Sequence, residues 1–435
     1  MPLYPLLLAP IVAAGGGPKA MGAANLVLLG LAALAALALG WRIAGWRAGL
    51  IGAAGAGLAP MALFWASYPL SEPLFLLLCL LALHAWISSA VLGADGKRAN
   101  PRAEAWAAAG AALAFAAYLT RSAGMALFAA GLLWLLARRQ WRQAGAAALA
   151  FLIPFALWAA ALKTLRGSYT YSMQNFHLIC ANFAVEMGQS FGKTYPSAGR
   201  FIAENADAVA LAVGRHLWQY ARVLATPGML AFLLPLLLLA LCPLAWRAGA
   251  ALLALWAALN YGFSAAIWST SEGDRFMLPT MAALALLGGA SAEWLLGRRR
   301  GWRWLSLGLL FAALGASAPL TMQFWRRAAE SRTMPLALSE PEARWLEAAI
   351  GEMTPVGTDN PFPFNFYCDR PAAWTQWDNP RFDLDAFLAQ YPVGALALSP
   401  PAAAALRASP WGGRAKSAGI GPMGLEWFAV EPLPE

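Results

Sequence analysis

Charge is what this sequence has least of. Asp, Glu, Lys and Arg make up 12% of its 435 residues, while 60% are hydrophobic. Soluble domains carry about 25% charged residues, so composition excludes an ordinary soluble chain and indicates a protein that crosses the membrane repeatedly. Histidine and cysteine are scarce too, with 3 and 4 residues. Cys79 and Cys242 fall inside apolar runs and no CxxC or Cys/His ligand spacing occurs, so neither a metal site nor a cofactor is expected. The net charge of +9 could suggest nucleic acid, but the basic residues stand in short clusters between apolar runs and not along one face. No nucleic-acid partner is expected. Gly192-Lys193-Thr194 has a phosphate-loop ending, yet Met187 stands where the first glycine should be, which excludes a nucleotide site there. Met1 to Ala14 lacks a basic leader segment, so no cleavable signal peptide is expected.

What the sequence does have is a series of apolar runs, each about long enough to cross a bilayer. Leu3 to Ala14 is too short to span and reads as an interfacial or re-entrant piece. Spans are expected at about 23–41, 49–67 and 73–91. The region from Ala105 to Ala137 is interrupted by Thr120-Arg121-Ser122-Ala123-Gly124 and reads as two short spans with Arg121 at their junction. Further spans follow at about 144–162, with Pro154 as a kink, and at 229–244, 248–268, 276–296 and 304–319. The total is about ten.

Short connections let the positive-inside rule set the orientation. Arg42/Arg47, Lys97/Arg98/Arg102, Arg138/Arg139/Arg142 and Arg298/Arg299/Arg300/Arg303 share one side if each run spans once, and that side is the cytoplasm. The other side receives the N-terminus, the Glu72 and Arg121 junctions, a loop at about 163–228, the Ser269 to Arg275 turn and everything after about Pro319. A first span with its N-terminus outside and no helix before it is unusual, and it suggests that an upstream helix is missing.

Two soluble-facing regions complete the map. Within the outer loop, Ile202, Val209, Val213, Leu217, Tyr220 and Leu224 mark an amphipathic helix over Arg200 to Leu224, lying along the membrane or packed on other loops. From residue 321 to 435 the composition becomes that of a small extracytoplasmic α/β domain. A helix starts at Ser339, strands fall at Val356 to Thr358, Gly394 to Ser399 and Glu426 to Val430, and helices at Asp383 to Tyr391 and near Ala402 to Ala408. Cys180 and Cys368 share that side, where either a disulfide or free buried thiols fit. The fold class is thus an all-α polytopic membrane domain, 1–320, followed by a small α/β domain.

Three outer junctions carry charge: Glu72, Arg121, and Glu272-Gly273-Asp274-Arg275-Phe276. Glu72, directly before Pro73, reads either as an acidic cap on a membrane helix or as a functional carboxylate facing a hydrophilic cavity. The arginines read either as snorkelling anchors or as a bidentate grip on a lipid phosphate. Histidines are plainer: His177 and His216, like Glu186, lie in the outer loop as surface candidates, and His84, inside a span, is expected to bond a neighbouring helix. Trp218, Trp374 and Trp377 could stack on sugar, although most of the 21 tryptophans read as interface anchors and core.

The ordered set Leu3-Tyr4-Pro5-Leu6-Leu7-Leu8-Ala9, Ser71-Glu72-Pro73-Leu74-Phe75, Leu119-Thr120-Arg121-Ser122-Ala123-Gly124 and Arg275-Phe276-Met277-Leu278-Pro279 resembles the signatures of GT-C glycosyltransferases. The likeness covers about residues 1 to 320 and points to the dolichyl-phosphate-mannose protein mannosyltransferase-like branch, which includes the aminoarabinose transferase-like members. The resemblance implies transfer of a sugar from a polyprenyl-phosphate donor to an envelope lipid, glycan or protein on the outer face of the plasma (inner) membrane, by one inverting displacement. By that resemblance Glu72 is the catalytic acidic position and orients the acceptor or a neighbouring side chain. Arg121 and Arg275 would bind the carrier phosphate, Asp274 would pair with Arg275 or an outer-loop cation, and Tyr4 would line the donor entrance. The family's acidic base lies on a loop ahead of the Leu-Tyr-Pro stretch, so the sequence is expected either to start inside its reading frame or to lack that base. A transporter or lipid flippase, or a polysaccharide polymerase or ligase, stands as the alternative.

Overall fold

The computed structural model describes residues 2–93, 100–166, 198–226, 228–229, 248–267, 275–296, isolated positions between 304 and 326, and 356–359, 372–375, 384–390, 393–413, 415–420 and 425–429. The chain divides into two compact units, Met1–Asn175 with Ala210–Ala328, and Phe176–Val209 with Ala329–Glu435.

The first unit is helical. Its elements are α1 (Leu3–Ala13), α2 (Pro18–Ile43), α3 (Trp46–Gly57), α4 (Pro60–Ala66), α5 (Glu72–Leu92), α6 (Pro101–Thr120), α7 (Gly124–Ala137) and α8 (Trp141–Arg166). The short α9 (Ala198–Glu204) and the first residues of α10 (Ala206–Leu224) belong to the second unit; the rest of α10, α11 (Ala248–Ile267), a 3-10 turn at Arg275–Met277, and α12 (Leu278–Leu296) complete the first. Six of these helices are long and apolar enough to cross a membrane, or seven if α3 and α4, bent by 50° at their break, form one span. The run expected as one span over 49–67 is thus broken, because Pro60 holds the residue before it out of the helical region: Ala59 has ψ 133°. Helices α1 and α7 are shorter apolar pieces, and the expected break at Arg121 separates α6 from α7. The runs at 229–244 and 304–319, like the helix at Ser339 and Cys180, Cys242 and Cys368, lie outside the described residues, isolated positions after 304 excepted.

Outward side chains on the spans are as apolar as the inward ones, as a bilayer requires: Val27 and Leu34 on α2 and Leu149, Ile153 and Leu157 on α8 are all more than half exposed. With oil on both sides, packing and hydrogen bonds hold the helices together, and small residues let them approach. Trp86 of α5 shows this. It is fully buried, its Nε1 donates to the Ala107 carbonyl at 3.2 Å, and its ring lies against Gly110 of α6 and Gly131 of α7. A Cβ on Gly110 would stand 2.7 Å from the indole nitrogen. One turn further along α5, Ser89 Oγ donates to the Ala103 carbonyl of α6 at 2.7 Å. This is a multi-pass membrane protein.

Helix α10 is amphipathic as expected, but the seam differs. Ala212, His216 and Tyr220 are buried, whereas Leu217 and Trp218 are exposed. The cause is specific: His216 Nδ1 lies 2.9 Å from the Ala265 carbonyl on α11, and the Tyr261 hydroxyl of α11 donates to the Leu217 carbonyl. His216 is therefore a structural ring and not a surface one.

The second unit contains a five-stranded sheet in the order β2-β1-β3-β5-β4, with β1 (Val356–Thr358), β2 (Ala372–Trp374), β3 (Ala395–Leu398), β4 (Lys416–Ile420) and β5 (Glu426–Ala429). Strand β1 runs parallel to β2 and β3, and β5 antiparallel to β3 and β4. Strands β1 and β3 are buried at every residue, and α13 (Leu384–Gln390) and α14 (Pro400–Ala408) contribute Leu384, Phe387, Leu388 and Leu406 to a core with Leu396, Trp411 and Phe428. Expected strands at β1, β3 and β5 are present; β2 and β4 are additions.

Candidate functional site

Three helix ends meet at one end of the first unit because of where the sequence breaks its helices. Pro73 starts α5, so Glu72 lies in its first turn, where negative charge suits the exposed N–H groups. Arg121 caps α6 in an extended conformation, φ −152° and ψ 142°, at the end where positive charge is favoured. The chain then re-enters a helix at Gly124, where a Cβ would strike the Tyr118 backbone nitrogen, so only glycine permits so tight a turn. Arg275 opens the 3-10 turn that leads into α12.

The three side chains converge. Arg121 Nη1 donates to Glu72 Oε1, and Arg275 Nε stands 3.6 Å from the same oxygen. The Glu72 side chain is 4% exposed and those of Arg121 and Arg275 are 17% and 18% exposed, so the carboxylate is the most deeply buried of the three groups. Glu72 Oε2 is buried and without a hydrogen-bond partner among the described residues. Phe276 serves both cations: its ring centroid lies 4.5 Å from Arg121 Cζ and 5.0 Å from Arg275 Cζ, with Trp65 at 5.8 Å from the latter. Among the described residues two cations face one anion and leave a residual positive charge, and facing aromatic rings fix the guanidinium planes.

Two buried asparagines, neither signalled by charge, tie this end of the bundle together. Asn25 of α2 donates from Nδ2 to the carbonyls of Tyr68 at 2.5 Å and Leu70 at 2.9 Å, just ahead of Glu72. Asn260 of α11 donates to Thr280 Oγ1 at 2.9 Å and to the Phe276 carbonyl at 3.4 Å, just after Arg275. Single polar residues within apolar runs are the sequence signal that could have found both.

Other expected positions fall differently. Tyr4, expected at the donor entrance, is 7% exposed and its hydroxyl donates to Asn25 Oδ1 at 3.1 Å, so it joins α1 to α2 as a buried strut. His84 Nδ1 is buried without a hydrogen-bond partner among the described residues, contrary to the expected bond to a neighbouring helix. Trp218 is 67% exposed and Trp374 lies in β2. Asp274, Glu272, His177, Glu186 and Trp377 lie outside the described residues. No group of three metal-ligating side chains occurs among the described residues.

The bundle of membrane helices with broken, charge-bearing ends, and the small α/β unit, can be compared with known proteins. The sequence matches no protein-family model and no curated protein. Among solved structures, the chain is similar to ArnT from Cupriavidus metallidurans bound to undecaprenyl phosphate, with TM-score 0.55 and 15% identity over 95% of this chain and 85% of that one. It is also similar to the archaeal oligosaccharyltransferase AglB from Archaeoglobus fulgidus, in complex with an inhibitory peptide and a dolichol-phosphate, with TM-score 0.52 and 13% identity over 98% of this chain and 66% of that one. Likeness at such identities establishes the fold.

Proposed function

We propose that this protein is a membrane glycosyltransferase that moves a sugar from a polyprenyl-phosphate donor to an envelope lipid, glycan or protein at the outer face of the plasma (inner) membrane. The observation that carries the reading is the convergence of Arg121 and Arg275 on the buried Glu72 carboxylate. Lipid phosphates in the ArnT and AglB structures support it.

In this reading both guanidiniums hold the carrier phosphate, and the residual positive charge balances a phosphodiester monoanion. The acceptor hydroxyl attacks the anomeric carbon, the bond from that carbon to the phosphate oxygen breaks, and its electron pair leaves with the oxygen. The leaving phosphate gains negative charge in the transition state, where the preset arginines stabilise it. A single displacement inverts the anomeric centre. The acceptor proton passes to a base outside this cluster, since Glu72 faces two guanidiniums and serves to orient them. Asp274, next to Arg275 in sequence, pairs in this reading with an outer-loop cation and leaves the two guanidiniums to the phosphate, and Tyr4 supports the site through Asn25. The positions of the basic clusters support an orientation with the Glu72 end of the bundle and the α/β unit outside the cytoplasm.

The test is purified protein in nanodiscs, assayed for undecaprenyl phosphate binding and for sugar transfer from a defined polyprenyl-phosphate sugar. Arg121→Gln and Arg275→Gln are each expected to weaken binding by about tenfold or more. Binding no tighter than that of the neutral polyprenol would overturn the reading.

A further inference from the structure

Asn25 is fully buried in a helix whose residues from Met21 to Leu39 are otherwise apolar or glycine. A primary amide in that setting must find partners for two donor hydrogens and an acceptor oxygen. All of them come from other elements: the Tyr68 and Leu70 carbonyls take the donors, and the Tyr4 hydroxyl supplies the acceptor's hydrogen. Tyr4 thereby fixes which way the amide faces, with oxygen towards α1 and nitrogen towards the turn before α5.

That turn is irregular backbone between α4 and α5, where carbonyls have few helical partners, and a carbonyl left bare in apolar surroundings is costly. One turn earlier on α2 lies Gly22, where a Cβ would stand 2.8 Å from the Ser67 carbonyl. Positions 22 and 25 share one face of the helix. So α2 presents a seat made for this turn: a glycine that admits the Ser67 carbonyl and an amide that binds those of Tyr68 and Leu70. Leu70 is two residues from Glu72, so the seat lies directly ahead of the first turn of α5.

We propose that Asn25 is a positioning residue for the charged cluster, holding the Tyr68–Leu70 turn so that the Glu72 carboxylate meets both guanidiniums. The inference rests on the carrier-phosphate reading of Arg121 and Arg275. A side chain that merely filled the space would stabilise the bundle without being coupled to Glu72, and this difference is measurable.

The experiment compares the full chain in nanodiscs with Asn25→Ala, Glu72→Gln, the double variant, Tyr4→Phe and a packing control, Leu39→Ala, in a residue also fully buried on α2. Affinity for undecaprenyl phosphate and the melting midpoint are read for each. Asn25→Ala is expected to weaken binding about tenfold in the wild-type background and by less than about twofold when Glu72 is already Gln, because both changes act through one carboxylate. Leu39→Ala lowers the melting midpoint and leaves affinity unchanged. Tyr4→Phe, which removes a single donor, weakens binding about threefold and keeps the proposal testable if Asn25→Ala fails to fold. Wild-type affinity in Asn25→Ala, or in Tyr4→Phe should the alanine variant not fold, overturns the inference alone. So does an equal loss on adding Asn25→Ala to either background. A wild-type chain that does not bind undecaprenyl phosphate overturns the carrier reading and this inference with it.

Discussion

The two ends of α12 carry the same chemistry in different surroundings. At its start, Arg275 faces a carboxylate that is 4% exposed, shares it with Arg121, and stacks against Phe276 and Trp65. Near its other end, Glu293 faces Arg47 at 3.7 Å, with side chains 23% and 48% exposed and the Arg47 guanidinium over Trp46. About 27 Å of helix separates them at 1.5 Å per residue. One cluster is buried, aromatic-lined and, among the described residues, carries more cation than anion; the other is a one-to-one pair whose arginine is half exposed, although Glu293 Oε2 is itself buried. Burial and charge imbalance, not the presence of an ion pair, mark a site, because solvent screens an open pair and leaves nothing for a ligand to neutralise.

The largest expected effect comes from removing the buried partner. Glu72→Ala leaves two guanidiniums facing each other without their shared anion, and loss of one member of a buried charge group costs about 3–5 kcal/mol. The variant should show a sharply lowered unfolding midpoint in detergent. A midpoint within a degree of wild type would place the two ends of α12 in the same class.

Next in size is the shape of the cation. Lysine keeps the charge but loses the planar fork and the stacking on Phe276. Arg121→Lys is expected to lose about 1–2 kcal/mol of undecaprenyl phosphate affinity, roughly tenfold, with little change in melting. Full retention by lysine would reduce the site to an undirected positive charge.

At the open end of α12 the effect should be small. Glu293→Gln removes the partner of a half-exposed arginine, and such pairs contribute about 0–1 kcal/mol. Its melting midpoint should stay near wild type and its affinity for undecaprenyl phosphate unchanged. A loss comparable to that of Glu72→Ala would erase the contrast between the ends.

The parts of this contrast were unequally legible in the sequence. Glu72, Arg121 and Arg275 stand out because each interrupts an apolar run beside a helix-breaking signal, and an alternating chain path puts such breaks on one side. Their supports do not stand out. Asn25 and Asn260 are uncharged and cost an apolar run little, so composition hides them, and the Phe276 ring reads as one aromatic among many. The bend between α3 and α4 has a local cause in Pro60, but a hydrophobic run of spanning length conceals it. In the sheet, β3 shows as a short apolar run, Ala395–Leu398, closed by Ser399. Strand β4, Lys416–Ile420, has a left-handed Gly419 and a register shift in place of alternation. His216 reads as a surface residue because a lone histidine carries no sign of the carbonyl it will meet; that carbonyl is 49 residues away.

The smallest effect lies in the sheet unit, where a third pair tests the same rule in water. Glu426 Oε1 accepts from Ser417 Oγ at 2.8 Å and from Arg407 Nη2, and the Ser417 hydroxyl first, then Arg407, holds its carboxyl below the usual value of 4.5. A carboxyl whose pKa is lowered by folding adds stability that is fully present above the unfolded value and is lost as pH falls through the folded one. Glu426→Gln mimics the protonated group. Wild type should therefore melt slightly above this variant at pH 7, and the gap should close as pH drops below about 4.5. Arg407 is 54% exposed, so the gap should also shrink in high salt, whereas the Glu72 cluster, shielded from solvent, should keep its advantage there. A gap at Glu426 that ignores both pH and salt would mean that shape, not charge, holds this edge of the sheet.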